Sequence, residues 1–496
     1  MRASLTKQTL SSSALSSVAQ IVSKLLGLVS TLILARILTP DIFALAAMLS
    51  ISLYFLDVMA DVASETYLLQ KRRLSSDDIG TAWTFNLLTK VTIAAVLIVS
   101  APLFSAFFRQ ELLTLPLQVI ALVLPLRALQ SPIIVKCKRR LRYTPLVWQT
   151  FAERLCAVVV VVTVAWWTQS IWAFVLADLV STAFGVTISY FWGKRAPRFT
   201  LTQARSQWQF SRWLIGKQVA GYLRSQLDTA LVARYFPLNV TGQFHVARDL
   251  AMAPGRYLLG PAIEPLLATF RMSGQQEGDL LDNTVLSYVL LLLVTVPLCL
   301  FVALNAGLLV HVLLGDKWQA ASGMFAYMIF LSFYWVFLLV TEKALMVQGK
   351  VRFLFYFDLA ALLLIAVSLT GVIQLSEPLD IHLFILVRVF TGFVLTGFAV
   401  GILFHKHYEK LLPVAGVFVI CFVVSTLSAY LNLWIAPAVE AWSSLLQLLL
   451  LGLSFMALYG ALIIPYALLG TPKAIRYRLR FLVTEISKRK TSLPSK

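Results

Sequence analysis

Charged side chains recur at helical spacing inside stretches of this chain that are otherwise apolar. Asp57, Asp61 and Glu65 follow at intervals of four residues, a spacing that puts three carboxylates on one face of a helix. Lys217 and Arg224 stand seven apart on nearly one stripe, with Asp228 one turn beyond Arg224. Asp249 and Arg256 are again seven apart, with Arg248 alongside, and Lys24 lies in the first apolar stretch. A charge at the bilayer centre costs about 3 kcal/mol on insertion scales. Such stripes predict a wet interior or a set of buried pairs, and together they favour helices that face a polar cavity. No catalytic constellation accompanies them. His245, His311, His382, His405 and His407 are scattered. Cys137, Cys156, Cys299 and Cys421 lie in or beside apolar stretches without metal-ligand spacing, which reads as packing. There is no P-loop and no pair of carboxylates with room for a sugar between them.

The elements that must position these groups are membrane helices. Of 496 residues, 59% are hydrophobic and only 13% charged, with a mean hydropathy of +0.82. Soluble domains carry about a quarter charged residues, so this composition excludes a disordered chain, a secreted disulfide scaffold and an ordinary cytosolic enzyme. Fourteen apolar stretches are about the 20 residues that a spanning helix needs, which predicts an all-α polytopic membrane protein. Charges interrupt the first, second, seventh and eighth, and a strict hydropathy window is expected to miss two of them. Pro254, Gly255, Gly260, Pro261 and Pro265 are expected to break the eighth span, because proline removes a backbone hydrogen bond. The thirteenth and fourteenth carry no charge in their apolar cores and are expected to face lipid. Connections are short. The longest is expected to run from Lys194 to Arg212, and the longest on the outer side lies near Leu431 to Trp442.

Net charge is +19, and its distribution sets orientation rather than a nucleic-acid partner. Lys71, Arg72 and Arg73, then Lys136, Lys138, Arg139, Arg140 and Arg142, and the tail from Thr471 to Lys496 share one side. The other side holds Arg36, Arg109 and Lys317. Basic loops stay cytoplasmic, which predicts both termini in the cytoplasm and an even number of spans. Met1 to Leu10 is polar and lacks a cleavable signal pattern. The tail reads as a solvated segment that fixes topology, with a short amphipathic helix on anionic lipid as the alternative.

An internal repeat links the two charged regions. Ala35-Arg36-Ile37-Leu38-Thr39-Pro40, followed by Phe43, matches Ala233-Arg234-Tyr235-Phe236-Pro237, followed by Phe244. The offset from Ala35 to Ala233 is 198 residues, or six spans, and an even offset means a parallel repeat about an axis along the membrane normal. The expected organisation is an N-terminal lobe over 1–205, a C-terminal lobe over 206–408, two further helices over 409–470, and a basic tail over 471–496. Two pseudo-symmetric six-helix lobes would then enclose a central cavity.

Four segments carry a family resemblance. Leu32 to Phe43 resembles the LARxLxPxxFG opening of bacterial polysaccharide flippases of the MOP exporter superfamily. Leu227 to Arg234 resembles their LDxxLIGR element, Gly242 to Arg248 is similar to GxYxxAx, and Leu313 to Trp318 resembles LLGxxW. Ala44 departs from the pattern, standing where the family has glycine, and Glu65 adds an acid to the second span. The resemblance implies flipping of an undecaprenyl-pyrophosphate-linked oligosaccharide to the outer leaflet of the bacterial inner membrane by alternating access, for surface polysaccharide such as lipopolysaccharide or exopolysaccharide.

A pyrophosphate needs cations, and arginine suits it through bidentate donation. On that basis Arg224 and Arg256, then Arg248, Lys24 and Lys217, are the expected cationic lining. Asp61, Asp228, Asp249, Asp57 and Glu65 would hold those cations or carry a coupling ion, H+ or Na+, with no cofactor expected. Expected partners are the lipid-linked substrate, the bilayer, a polysaccharide polymerase and glycosyltransferases. A multidrug or cation antiporter and a peptidoglycan-precursor flippase of the same superfamily are the near alternatives. A membrane polysaccharide polymerase is the alternative from another class, but it would need a sizeable outer loop that this chain lacks.

Overall fold

A computed structural model describes residues 22–60, 67–69, 71, 74–140, 142–191, 199–263, 277–376, 378–439 and 442–469. Among these the chain is helical, without strands. The N-terminal half comprises α1 (residues 22–37), α2 (Pro40–Ala60), α3 (Ser76–Phe108), the broken pair α4 (Thr114–Ile120) and α5 (Val123–Ala128), α6 (Ile133–Arg139), α7 (Thr144–Thr168) and α8 (Trp172–Phe191). The C-terminal half comprises α9 (Ala204–Tyr235), α10 (Leu238–Ala253), α11 (Gly260–Ile263), α12 (Glu277–Leu304), α13 (Ala306–Leu314), α14 (Ala321–Val347), α15 (Val351–Leu375) and α16 (Ile381–Leu403). Helices α17 (Leu412–Val439) and α18 (Ser444–Leu469) follow.

Local chemistry sets several boundaries. Ser75 caps α3 in a capping box with Asp78, and Lys71 pairs with Asp78 at 2.6 Å. Pro40 is the first residue of α2 and Pro237 the N-cap of α10, so the repeated proline starts a helix in each half. The eighth span does not break at Pro254 or Pro261, and Pro265 lies outside the described residues. Ala253 continues into a π-helical turn, Pro254–Leu259, and then into α11, with the Gly260 amide bonded to the Gly255 carbonyl. The wider i→i+5 turn absorbs the missing Pro254 N–H without interrupting the helix.

Among the described residues eleven helices are long and apolar enough to cross a membrane. The three expected spans left out are the first, seventh and eighth, one more than foreseen. Helices α1, α9 and α10 occupy those positions; α1 and α10 are each described over only 16 helical residues, and the charges of the longer α9 make it too polar to count. The connections are shorter than expected. α9 begins at Ala204, so helix replaces the second half of the Lys194–Arg212 stretch, and α17 runs to Val439 and takes up most of Leu431–Trp442. Asp61, Glu65, Met1 to Leu10 and the Thr471–Lys496 tail lie outside the described residues.

Helix α10 packs against α2 and α14, and α9 packs against α2 and α15, so these central helices join the halves. Their shared core sits toward the predicted outer face, where Leu38 and Phe43 meet Phe244, Trp318 and Phe384. Trp318 is fully buried, stands edge-on to Phe43 at 5.1 Å, and donates Nε1–H to the Ala35 carbonyl at 2.8 Å. Ala44 is also fully buried, so a small side chain serves where the family has glycine. Helices α17 and α18 expose Phe422, Val423, Leu453 and Met456, in keeping with lipid-facing elements.

The start of α10 approaches α2 so closely that a Cβ on Gly242 would collide with the Pro40 carbonyl oxygen. Nothing lies within 4 Å of such a Cβ at Gly216. Gly242→Ala should therefore cost about 1–3 kcal/mol through overpacking, while Gly216→Ala should cost nothing. Thermal unfolding of the two purified variants in detergent checks the contrast.

Candidate functional site

The interior charges sort into four groups. In the N-terminal half, Asp57 of α2 receives Lys90 Nζ of α3 and Arg127 Nη1 of α5, each at 3.0 Å. This trio lines a cavity of about 790 Å³, in the range of small-molecule sites. Asn86, Gln130 and Glu153 line it too, and α9 closes it with Gln218, Tyr222 and Ser225. The Tyr222 hydroxyl donates to the Ile51 carbonyl at 3.0 Å, tying α9 to α2.

The second group joins the halves. Lys24 Nζ of α1 donates to the Arg256 carbonyl at 3.2 Å, and Arg256 Nη1 lies 3.6 Å from Asp249 Oδ1. Asp249 also faces His245 one turn earlier at 3.9 Å. The Arg256 and Asp249 side chains stay 34% and 41% exposed, so this pair is accessible rather than locked. Arg154 of α7 lays its guanidinium against Gly27, one turn beyond Lys24, where any Cβ would displace it.

The third group is sealed. Asp228 of α9, 1% exposed, accepts from Arg248 Nε of α10 and Arg388 Nε of α16, each at 3.2 Å, and from the Thr229 amide at 2.8 Å. Arg248 also donates to the Ser225 carbonyl, and Arg388 stacks over Tyr334 with 5.7 Å to the ring centroid. In the fourth group, Arg224 bridges Glu342 of α14 at 3.5 Å and Asp358 of α15 at 3.2 Å. Lys217 acts electrostatically on the same two carboxylates.

The expected residues therefore do not form one lining. Lys24, Arg256 and Asp249 come together, and the Asp249–Arg256 stripe is a real pair. Arg224 does not pair with Asp228 one turn away, because each reaches a different neighbouring helix. Arg248 and Asp228 are spent on each other, and Asp57 belongs to the N-terminal cavity. Asp380 caps α16 by accepting from the His382 amide at 2.8 Å. Sequence spacing did not single out Arg154, Arg388, Glu342 or Asp358, because their partners lie on other helices. The one local hint was that each is an ionisable residue in an apolar run.

Removing the carboxylate of a buried pair strands its cations at about 3–5 kcal/mol, whereas exposed pairs contribute about 1 kcal/mol or less. Asp228→Asn should therefore destabilise strongly and Asp249→Asn little, as read by thermal unfolding of the two variants side by side.

The helical fold, its halves joined around charged walls, is that of a multi-pass membrane protein. The chain belongs to the polysaccharide biosynthesis protein family, whose model matches residues 33–323. It is 18% identical over 76% of its length to the teichuronic acid biosynthesis protein TuaB of Bacillus subtilis, covering 79% of that protein. It is 26% identical over 51% to the succinoglycan biosynthesis transport protein ExoT of Rhizobium meliloti, and 25% identical over 64% to the lipopolysaccharide biosynthesis protein WzxC of Escherichia coli. The matches cover 51% and 65% of those two relatives. The fold is similar to the lipid II flippase MurJ in an inward closed conformation, with a TM-score of 0.70 at 10% identity over 91% of this chain and 98% of that one. An inward-facing MATE family transporter of the MOP superfamily gives 0.56 at 11% identity, over 79% of this chain and 99% of the other.

Proposed function

We propose that this protein flips undecaprenyl-pyrophosphate-linked oligosaccharide from the cytoplasmic to the outer leaflet of the bacterial inner membrane, by alternating access, for surface polysaccharide biosynthesis. The observation that carries this reading is the meeting of Lys24 and Arg256, cations from opposite halves, in an accessible polar region. Neither a pyrophosphate nor a glycan crosses about 30 Å of hydrocarbon unaided. A cation cluster contributed by both halves offers the headgroup a path, while the polyprenyl tail stays in lipid. Arg154 is the third cation of this cluster. Arg224 and Arg248 serve as struts, since carboxylates already hold them. Lys217 offsets Glu342 and Asp358.

The MOP-type fold and the family's transport-named relatives support a transporter rather than an enzyme. In this reading both termini are cytoplasmic, no cofactor takes part, and Asp57 or Asp249 exchanges a coupling H+ or Na+. A polymerase and glycosyltransferases act before and after it. A drug or cation antiporter of the same fold would call for an acid-dominated cavity, which the Lys24–Arg256–Arg154 group opposes.

The test is export of lipid-linked oligosaccharide in a flippase-deficient strain. Arg256→Ala and Lys24→Ala, at normal membrane levels, should each lower export at least about tenfold, the loss expected for a hydrogen bond to a charged group. Arg224→Ala should lower the amount of folded protein rather than export per molecule. Full export by both Arg256→Ala and Lys24→Ala would overturn the site.

A further inference from the structure

The repeated Ala-Arg motif places two arginines at equivalent positions, and the structure puts them to equivalent use. Arg36 leaves the end of α1 and donates Nη2–H to the Val312 carbonyl at 2.7 Å, in the last turn of α13 in the opposite half. Arg234 leaves the end of α9 and donates Nη1–H to the Ala106 carbonyl at 3.1 Å and to the Phe107 carbonyl, in the last turn of α3, again in the opposite half. Its guanidinium also lies over the Phe107 ring, 5.6 Å from the centroid. Each contact pairs a cation with the carbonyl end of a helix, where unpaired carbonyls and the helix dipole favour positive charge.

We propose that Arg36 and Arg234 form a two-fold related latch that holds the predicted outer face closed, each guanidinium capping the carbonyl end of a helix in the other half. The inference rests on the alternating-access reading and adds a device that sets how often that face opens. Three features separate a latch from permanent glue. Arg36 is exposed and Arg234 only partly buried, so water can replace each contact when the halves part. The acceptors are carbonyls rather than carboxylates, so opening strands no buried charge. The ion pairs described above each lie within one half, whereas both of these contacts cross between halves. The Trp318–Ala35 bond, and Lys317 Nζ donating to the Arg36 carbonyl at 3.5 Å, flank the Arg36 arm.

A cysteine at Ser225, exposed on the α9 wall of the cavity, reports opening to the outside. Intact cells carrying Ser225→Cys are treated with a membrane-impermeant maleimide, and the labelling of the parent's own cysteines is subtracted. Arg36→Ala and Arg234→Ala should each speed labelling about two- to fivefold, the effect of a cation at a helix carbonyl end, and the double variant should show the product of the two. Arg36→Lys and Arg234→Lys keep the charge without the fork and should fall between; they also serve if an alanine variant fails to reach the membrane. Arg109→Ala, on the same face, should change nothing. Unchanged labelling in the alanine and lysine variants would overturn the latch. Because labelling follows conformation without substrate, the transport assignment stands or falls separately, on the export assay above.

Discussion

Asp228 is the point on which the C-terminal half turns. Its carboxylate is cut off from water and holds two arginines, one from the next helix and one from a helix 160 residues further along the chain. In hydrocarbon, such a charge is tolerable only with its partners in place. The Asp228 carboxylate therefore ties helices α9, α10 and α16 to one another by electrostatics as well as by side-chain packing. Arg388 then stacks on Tyr334 of α14, and a Cβ at Gly392, one turn after Arg388, would strike that ring. A guanidinium, an aromatic ring and a missing side chain make one packed unit.

This frame separates charges locked into pairs between helices from charges left accessible. Arg248, Arg388 and Arg224 each face a carboxylate from another helix with little exposure. Arg256 and Asp249 meet at a longer distance with a third or more of each side chain still accessible. Both kinds look alike in a sequence, since each is an ionisable residue in an apolar run. What distinguishes them is the number of partners, which depends on helices brought together only by the fold.

The sequence was accordingly most legible where physics acts locally. Length and hydropathy revealed the spans, and the eleven helices that pass on both counts agree. Seven-residue spacing found Asp249–Arg256, because both sit on one continuous helix. Four-residue spacing misled at Arg224 and Asp228: one turn apart, they look like a pair, yet Glu342, Asp358 and Arg388 compete for them from α14, α15 and α16. Prolines 254 and 261 suggested a broken helix, where the backbone widened one turn instead. The repeat of Ala-Arg and Pro was short, but it marked structurally equivalent helix ends.

The aromatic layer of Phe43, Phe244, Trp318 and Phe384 bears on membrane energetics. Polar and charged side chains line the interior on one side of it, and the rings of the layer itself are buried. With a hydrated interior, a membrane potential would fall mainly across this thin stratum rather than evenly over the thickness of the bilayer. Each elementary charge that traverses it does work of about 2.3 kcal/mol per 100 mV. If transport is coupled to an ion as proposed, these packed rings would act as the dielectric of a capacitor, and energy stored across the membrane would be delivered where the two halves meet.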